Sequence, residues 1–103
     1  MTPEGHVKAM VQRRMKQAFP LAYRFMPVQN GMGAPALDFY WCIHGLFVAF
    51  ETKVPGKNAT DRQKITMAEI HAAGGLAFVI HDATDFEKAI AEIEAKADRR
   101  CSE

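Results

Sequence analysis

The chain has 103 residues, of which 49% are hydrophobic and 24% charged, with a formal net charge of +1. That composition suits one ordinary globular domain, 1–103, whose core buries roughly two-thirds of the unfolded chain's surface. No apolar run approaches the ~18 residues of a membrane span, and the first residues lack a signal peptide's apolar segment.

Cys42 and Cys101 make neither a disulfide framework nor a metal knuckle, so a reducing cytoplasm is expected. Charge is unevenly placed. Up to residue 64 there are nine Lys/Arg against four Asp/Glu, and beyond it four against eight. The basic part is attractive to a polyanionic partner, although such patches are often only solvated surface.

Thr2-Pro3-Glu4 is a helix start: a capping hydroxyl, proline at the first helical position, then an acid. The helix is predicted to run to about Ala18, with Val7, Met10, Val11 and Met15 on its apolar side and Pro20 beyond its end. On spacing alone, Glu4 is there for the helix dipole. Tyr23–Val28 reads as a strand, with Pro27 marking an edge or irregular end. Gln29 to Pro35 is a turn-rich connecting loop without the Gly-Lys-Ser/Thr ending of a P-loop.

Leu37–Ile43 and Leu46–Phe50 are β-prone runs flanking His44-Gly45, a two-residue turn. Counting outward from a closing Ile43/Leu46 pair sets Asp38 opposite Glu51. Facing side chains sit roughly 4.5–5.5 Å apart, and like charges there repel. Lys53 points to the same face as Glu51, because side chains repeat every second residue. Two outcomes relieve the repulsion: a surface charge cluster balanced by Lys53, or a divalent cation held by both carboxylates, with Mg²⁺ or Mn²⁺ suiting such oxygen ligands. Both hairpin faces are otherwise apolar, so the hairpin should be central and covered on two sides.

After a loop at 54–59, Thr60-Asp61-Arg62-Gln63 matches a capping box, which alone accounts for Gln63. Its helix should continue to Ala73 and stop at Gly74-Gly75. Leu76–Ile80 is a short buried strand. Thr84-Asp85-Phe86-Glu87 forms a second capping box opening a last helix that frays after about Asp98. His6, His44, His71 and His81 lack zinc-binding spacing, and no GxSxG motif occurs.

The order helix, three strands, helix, strand, helix, with Asp38, then Glu51-Thr52-Lys53, then Gln63, resembles the PD-(D/E)XK nuclease superfamily. More narrowly, Gly33-Ala34-Pro35, Asp38, the Glu-Thr-Lys tripeptide and Gln63 are similar to the virus-type replication-repair nuclease (VRR-NUC) family, over Thr2 to about Asp82. One departure is that Ala36-Leu37 separate Pro35 from Asp38, where family members often place proline next to the acid.

The resemblance implies a restriction-endonuclease-like α/β (α+β) fold, an αβββαβα core with a central mixed four-stranded sheet flanked by helices. It implies Asp38, Glu51 and the Thr52 backbone carbonyl as ligands of Mg²⁺ or Mn²⁺, and matches Glu4 to an acid on the first helix. Lys53 would orient the attacking water or meet phosphate charge, and Gln63 would lie beside the site. The implied activity is metal-dependent endonucleolytic hydrolysis of DNA, with Holliday-junction resolution by a homodimer in a bacterial or phage-infected cell. Rival readings are a flap, single-strand or duplex-end nuclease, and a non-catalytic nucleic-acid-binding module.

Overall fold

The computed structural model describes residues 1–28 and 36–102. The loop expected at Gln29 to Pro35, including Gly33-Ala34-Pro35, lies outside the described residues. The elements are α1 (Pro3–Ala18), β1 (Tyr23–Phe25), β2 (Phe39–Ile43), β3 (Leu46–Thr52), α2 (Asp61–Ala72), β4 (Leu76–Ile80) and α3 (Ala83–Ser102). Their order is the αβββαβα expected from the sequence.

The sheet runs β1-β2-β3-β4. The first two pairings are antiparallel and β3 pairs with β4 in parallel, so the sheet is mixed. Ile43 faces Leu46 as predicted, and the ladder continues to Phe39 opposite Phe50. His44 and Gly45 both have positive φ, 50° and 81°, as a primed hairpin turn requires. Strand β1 is shorter than predicted and stops before Pro27, whose missing N–H cannot extend a ladder.

Helices cover both faces of β3. On one side, Val11 and Met15 of α1 and Phe86, Ala89 and Ile93 of α3 pack on Phe39, Trp41, Val48 and Phe50. Phe50 stacks between Phe78 and Phe86, with ring centroids 5.8 and 6.1 Å away. On the other side, Met67 and Ile70 of α2 pack against Leu37, Ala49 and Ala77. Helix α2 buries no residue fully, so part of that face stays open. There Tyr23, Phe25, Tyr40, Cys42 and Phe47 border an apolar cleft of about 380 Å³. Of the hairpin aromatics, Trp41 and Phe50 are core, Tyr40 is half-buried and Phe47 is exposed.

The caps explain two helix starts and correct a third. The Thr2 hydroxyl accepts from the Gly5 amide at 3.0 Å. Thr60 and Gln63 form the predicted reciprocal box, at 2.9 and 3.2 Å. Helix α2 stops at Ala72, one residue short of the prediction, and Gly74 at φ 96° turns the chain toward β4. Helix α3 does not start from a Thr84 box. Asp82 caps it by accepting from the Asp85 amide at 2.9 Å, while Glu87 pairs with Arg14 of α1. A carboxylate caps as well as a hydroxyl, and the acid that the Thr84 box needed is engaged at the surface with Arg14 of α1. Nor does α3 end near Asp98; it runs to Ser102.

His81 ties the start of α3 to the loop that follows β3. Its Nδ1 lies 2.8 Å from Asp85 Oδ2 and its Nε2 lies 2.7 Å from the Lys57 carbonyl. Both partners only accept, so the ring is satisfied as a doubly protonated imidazolium. The Asp85 bond and then the Lys57 carbonyl raise the His81 pKa above 6.5, while His81 holds Asp85 below 3.8. The His81 contribution is therefore complete below pH 6.5 and fades as pH rises through the folded-state value. That of Asp85 is complete above 3.8 and fades on acidification. His81→Gln is expected to lower stability by about 1 kcal/mol at pH 6 and by less at pH 9. Equal losses in urea melts at both pH values would mean that the ring is neutral in the folded chain.

Candidate metal centre

Three acids from distant parts of the chain meet at one end of the sheet. Glu4 comes from the first turn of α1, Asp38 from the bend just before β2, and Glu51 from the last residues of β3. One carboxylate oxygen of each lies within 4.8 Å of the others. Among the described residues no other His/Cys/Asp/Glu group of three converges in this way.

Asp38 and Glu51 come together, but not as a ladder pair. Pairing stops at Phe39 opposite Phe50, and Asp38 lies in a bend. The reason is Thr52. Its amide and its hydroxyl both donate to Asp38 Oδ2, at 2.9 and 2.7 Å, so a side chain takes the place of the next backbone partner. Asp38 Oδ1 remains, 3.6 Å from Lys8 Nζ. On the other edge of β3, the Lys53 amide donates to the Ile80 carbonyl at 3.0 Å, fixing the strand end against β4.

Glu51 carries the electrostatic tension. It is 3% exposed, and its Oε1 has no hydrogen-bond partner. Its Oε2 lies 3.7 Å from Lys53 Nζ. Burial first, and Asp38 second, push its pKa from 4.5 up to about 7, against the opposing pull of Lys53. A buried, orphaned carboxylate oxygen beside two further acids is what a divalent cation would satisfy. The all-oxygen donor set suits a hard ion such as Mg²⁺ or Mn²⁺. The residues present therefore fit such an ion.

The structure thus gathers Glu4, Asp38, Glu51, Thr52 and Lys53. It places Gln63 in the α2 cap, where its Oε1 accepts from the Thr60 amide; among the described residues its hydrogen bonds are those of the cap. Two contributors escaped the sequence reading. Lys8 lies one helical turn beyond Glu4, an i,i+4 spacing that puts both on one side of α1. The motif points only to the Thr52 carbonyl, although its hydroxyl, between the two motif side chains, is the group that holds Asp38. Thr52→Val keeps the shape of this fully buried residue and removes the hydroxyl. It is expected to cost about 1–3 kcal/mol of stability and roughly 10–100-fold in Mg²⁺ affinity. Unchanged Mg²⁺ binding by calorimetry would show that the Thr52 amide positions Asp38 unaided.

In architecture the chain is an α+β fold, three helices packed on a mixed four-stranded sheet. It superposes on a solved structure described as a VRR_NUC domain with a TM-score of 0.72, covering 88% of this chain and 97% of that one at 19% identity. The likeness is one of fold. No family model matches the sequence, and no curated protein matches it. No described helix is long and apolar enough to cross a membrane.

Proposed function

We propose that the chain, 1–103, is a metal-dependent nuclease domain of the VRR-NUC kind. The observation that carries this is the orphaned Oε1 of buried Glu51, beside Asp38 and Glu4 on a fold shared with a VRR_NUC domain. Asp38, Glu51, the Thr52 carbonyl and Glu4 would hold Mg²⁺ or Mn²⁺. When bound, the ion supplies Lewis-acid polarisation of the scissile phosphate and acidifies the attacking water.

The remaining work falls to the chain. Thr52 fixes Asp38 through two hydrogen bonds, so the carboxylate needs little reorganisation on loading. Lys53, two residues beyond Glu51 with its Nζ 3.7 Å from Glu51 Oε2, orients the water and meets the charge that grows on the phosphate oxygens. Water adds to phosphorus in line with the departing 3′ oxygen, the P–O3′ bond breaks, and the products are a 5′-phosphate and a 3′-hydroxyl. Gln63, with its carbonyl oxygen engaged in the cap, contributes through its amide donors.

The substrate we favour is branched DNA, a four-way junction in the cytoplasm of a bacterial or phage-infected cell, in the service of DNA repair. One site of this size cuts one strand, whereas resolving a junction needs two symmetric nicks, which a two-fold dimer supplies. The open edge of β1 and the apolar cleft beside it, lined by exposed Tyr23, Phe25 and Phe47, are the surface for the second copy. Light scattering at micromolar concentration should give a dimer for the wild type and a folded monomer for Phe25→Glu.

The decisive assay offers junction, flap, duplex and single-stranded DNA to the protein in Mg²⁺ and Mn²⁺. Paired symmetric nicks confined to the junction are the expected result, absent in Asp38→Asn. Binding without cutting in either metal would leave a non-catalytic module, and cutting of the other DNAs alone would move the substrate to flaps, ends or single strands.

A further inference from the structure

Beside the acid cluster, along the outer side of α1, runs a cleft of about 590 Å³ whose polar lining is almost entirely cationic. Lys8, Arg13 and Lys16 line it from α1 and Arg24 from β1, with Gln12 between them; no acid lines it among the described residues. The arrangement is built rather than scattered. The Arg24 guanidinium donates to Gln12 Oε1 at 2.7 Å, which holds the β1 cation over the helix. Lys8 belongs to the cleft and also pairs with Asp38 at 3.6 Å, so the cationic track ends on the acid cluster. Arg13 and Lys16 are exposed and make no ion pair among the described residues.

We infer that this cleft is the track for the sugar–phosphate backbone of the nucleic acid leading into the metal centre. The inference rests on the nuclease reading for the identity of the polyanion. The geometry supplies the rest. A rise of ~1.5 Å per residue puts Lys8 and Lys16 about 12 Å apart along the α1 axis. A duplex strand advancing ~3.4 Å per nucleotide sets about three or four phosphates over that length. A polyanion lying there has its next phosphate delivered to Lys8, Asp38 and Glu51. An acidic peptide would satisfy the cations too, but would not need a track that terminates at three carboxylates.

The test is binding rather than cleavage, measured by fluorescence anisotropy of a labelled 16-base-pair DNA duplex in EDTA across a salt series. The variant Arg13→Gln/Lys16→Gln is compared with the wild type and with Lys88→Gln/Arg99→Gln, which removes the same charge from α3. The groove variant should lose at least about tenfold in affinity, with its log–log salt slope shallower by about 0.9 for each lost phosphate contact. The α3 variant should keep the wild-type slope, and the swap Arg13→Lys/Lys16→Arg should restore it. Equal losses in the groove and α3 variants would overturn the inference, as would polyglutamate of matched charge binding as tightly as the duplex. Cutting in Mg²⁺ is scored separately. A wild type that cuts while the groove variant binds normally removes the track and leaves the nuclease reading. A wild type that binds through the groove and never cuts does the reverse.

Discussion

Glu51→Gln is expected to abolish Mg²⁺-dependent cleavage, by roughly a thousandfold or more, while making the metal-free protein more stable at pH 8. The second effect follows from the site. Burial, with Asp38 beside it, raises the Glu51 pKa from 4.5 to about 7. A carboxyl whose folded-state pKa is raised contributes stability that is complete below 4.5 and is lost as pH climbs through about 7. The loss across that window amounts to roughly 3 kcal/mol, at 1.36 kcal/mol per pKa unit. Glutamine carries no charge at any pH in this range and escapes the loss. Urea melts in EDTA should therefore find the variant ahead by roughly 2–3 kcal/mol at pH 8 and level with the wild type near pH 4.5. Adding Mg²⁺ should reverse the order at pH 8, because only the wild type gains binding energy. The same titration sets the activity profile: below about pH 7 protons compete for Glu51, so Mg²⁺ affinity and cleavage both rise with pH through that value. Identical metal-free stabilities from pH 5 to 8 would show that Glu51 is not the strained group described.

Lys53→Met is expected to slow cleavage at pH 8 by about 100–1000-fold with the fold intact. The side chain is partly exposed, so its aliphatic stem is replaced without loss of core. Lys53 also lowers the Glu51 pKa, so the variant's rising activity limb should move to higher pH. The two roles separate in the full pH profile. Should the plateau rate at high pH match the wild type, with only the limb displaced, Lys53 would be the counter-charge of Glu51 and nothing more. A depressed plateau is the signature of a cation acting on the phosphate.

Most of the architecture could be read from the chain because its local signals agree with its packing. The His44-Gly45 turn set the hairpin register, and the Thr2 and Thr60 caps set two helix starts. Where two capping solutions competed, reading failed: Asp82 prevailed over Thr84 because Glu87 had a partner on α1, a tertiary fact with no local trace. The acid cluster is legible in its parts but not in its joinery. Register arithmetic brought Asp38 to Glu51, yet it could not show that Thr52 would take Asp38 out of the ladder. Lys8 was invisible for a related reason, since nothing in a helix start announces what its next turn will touch.

The end of β3 and the residue after it take one contact each in succession: Glu51 joins the acid cluster, Thr52 holds Asp38, and Lys53 meets both Ile80 and Glu51. Because neighbours on a strand face opposite ways, sliding it by a single position would turn all three away from their tasks together. Partial loosening of this end of the sheet should therefore extinguish cleavage outright rather than grade it downward. Thermal inactivation should then precede or coincide with the melting of the β3–β4 pairing, with no half-active species in between.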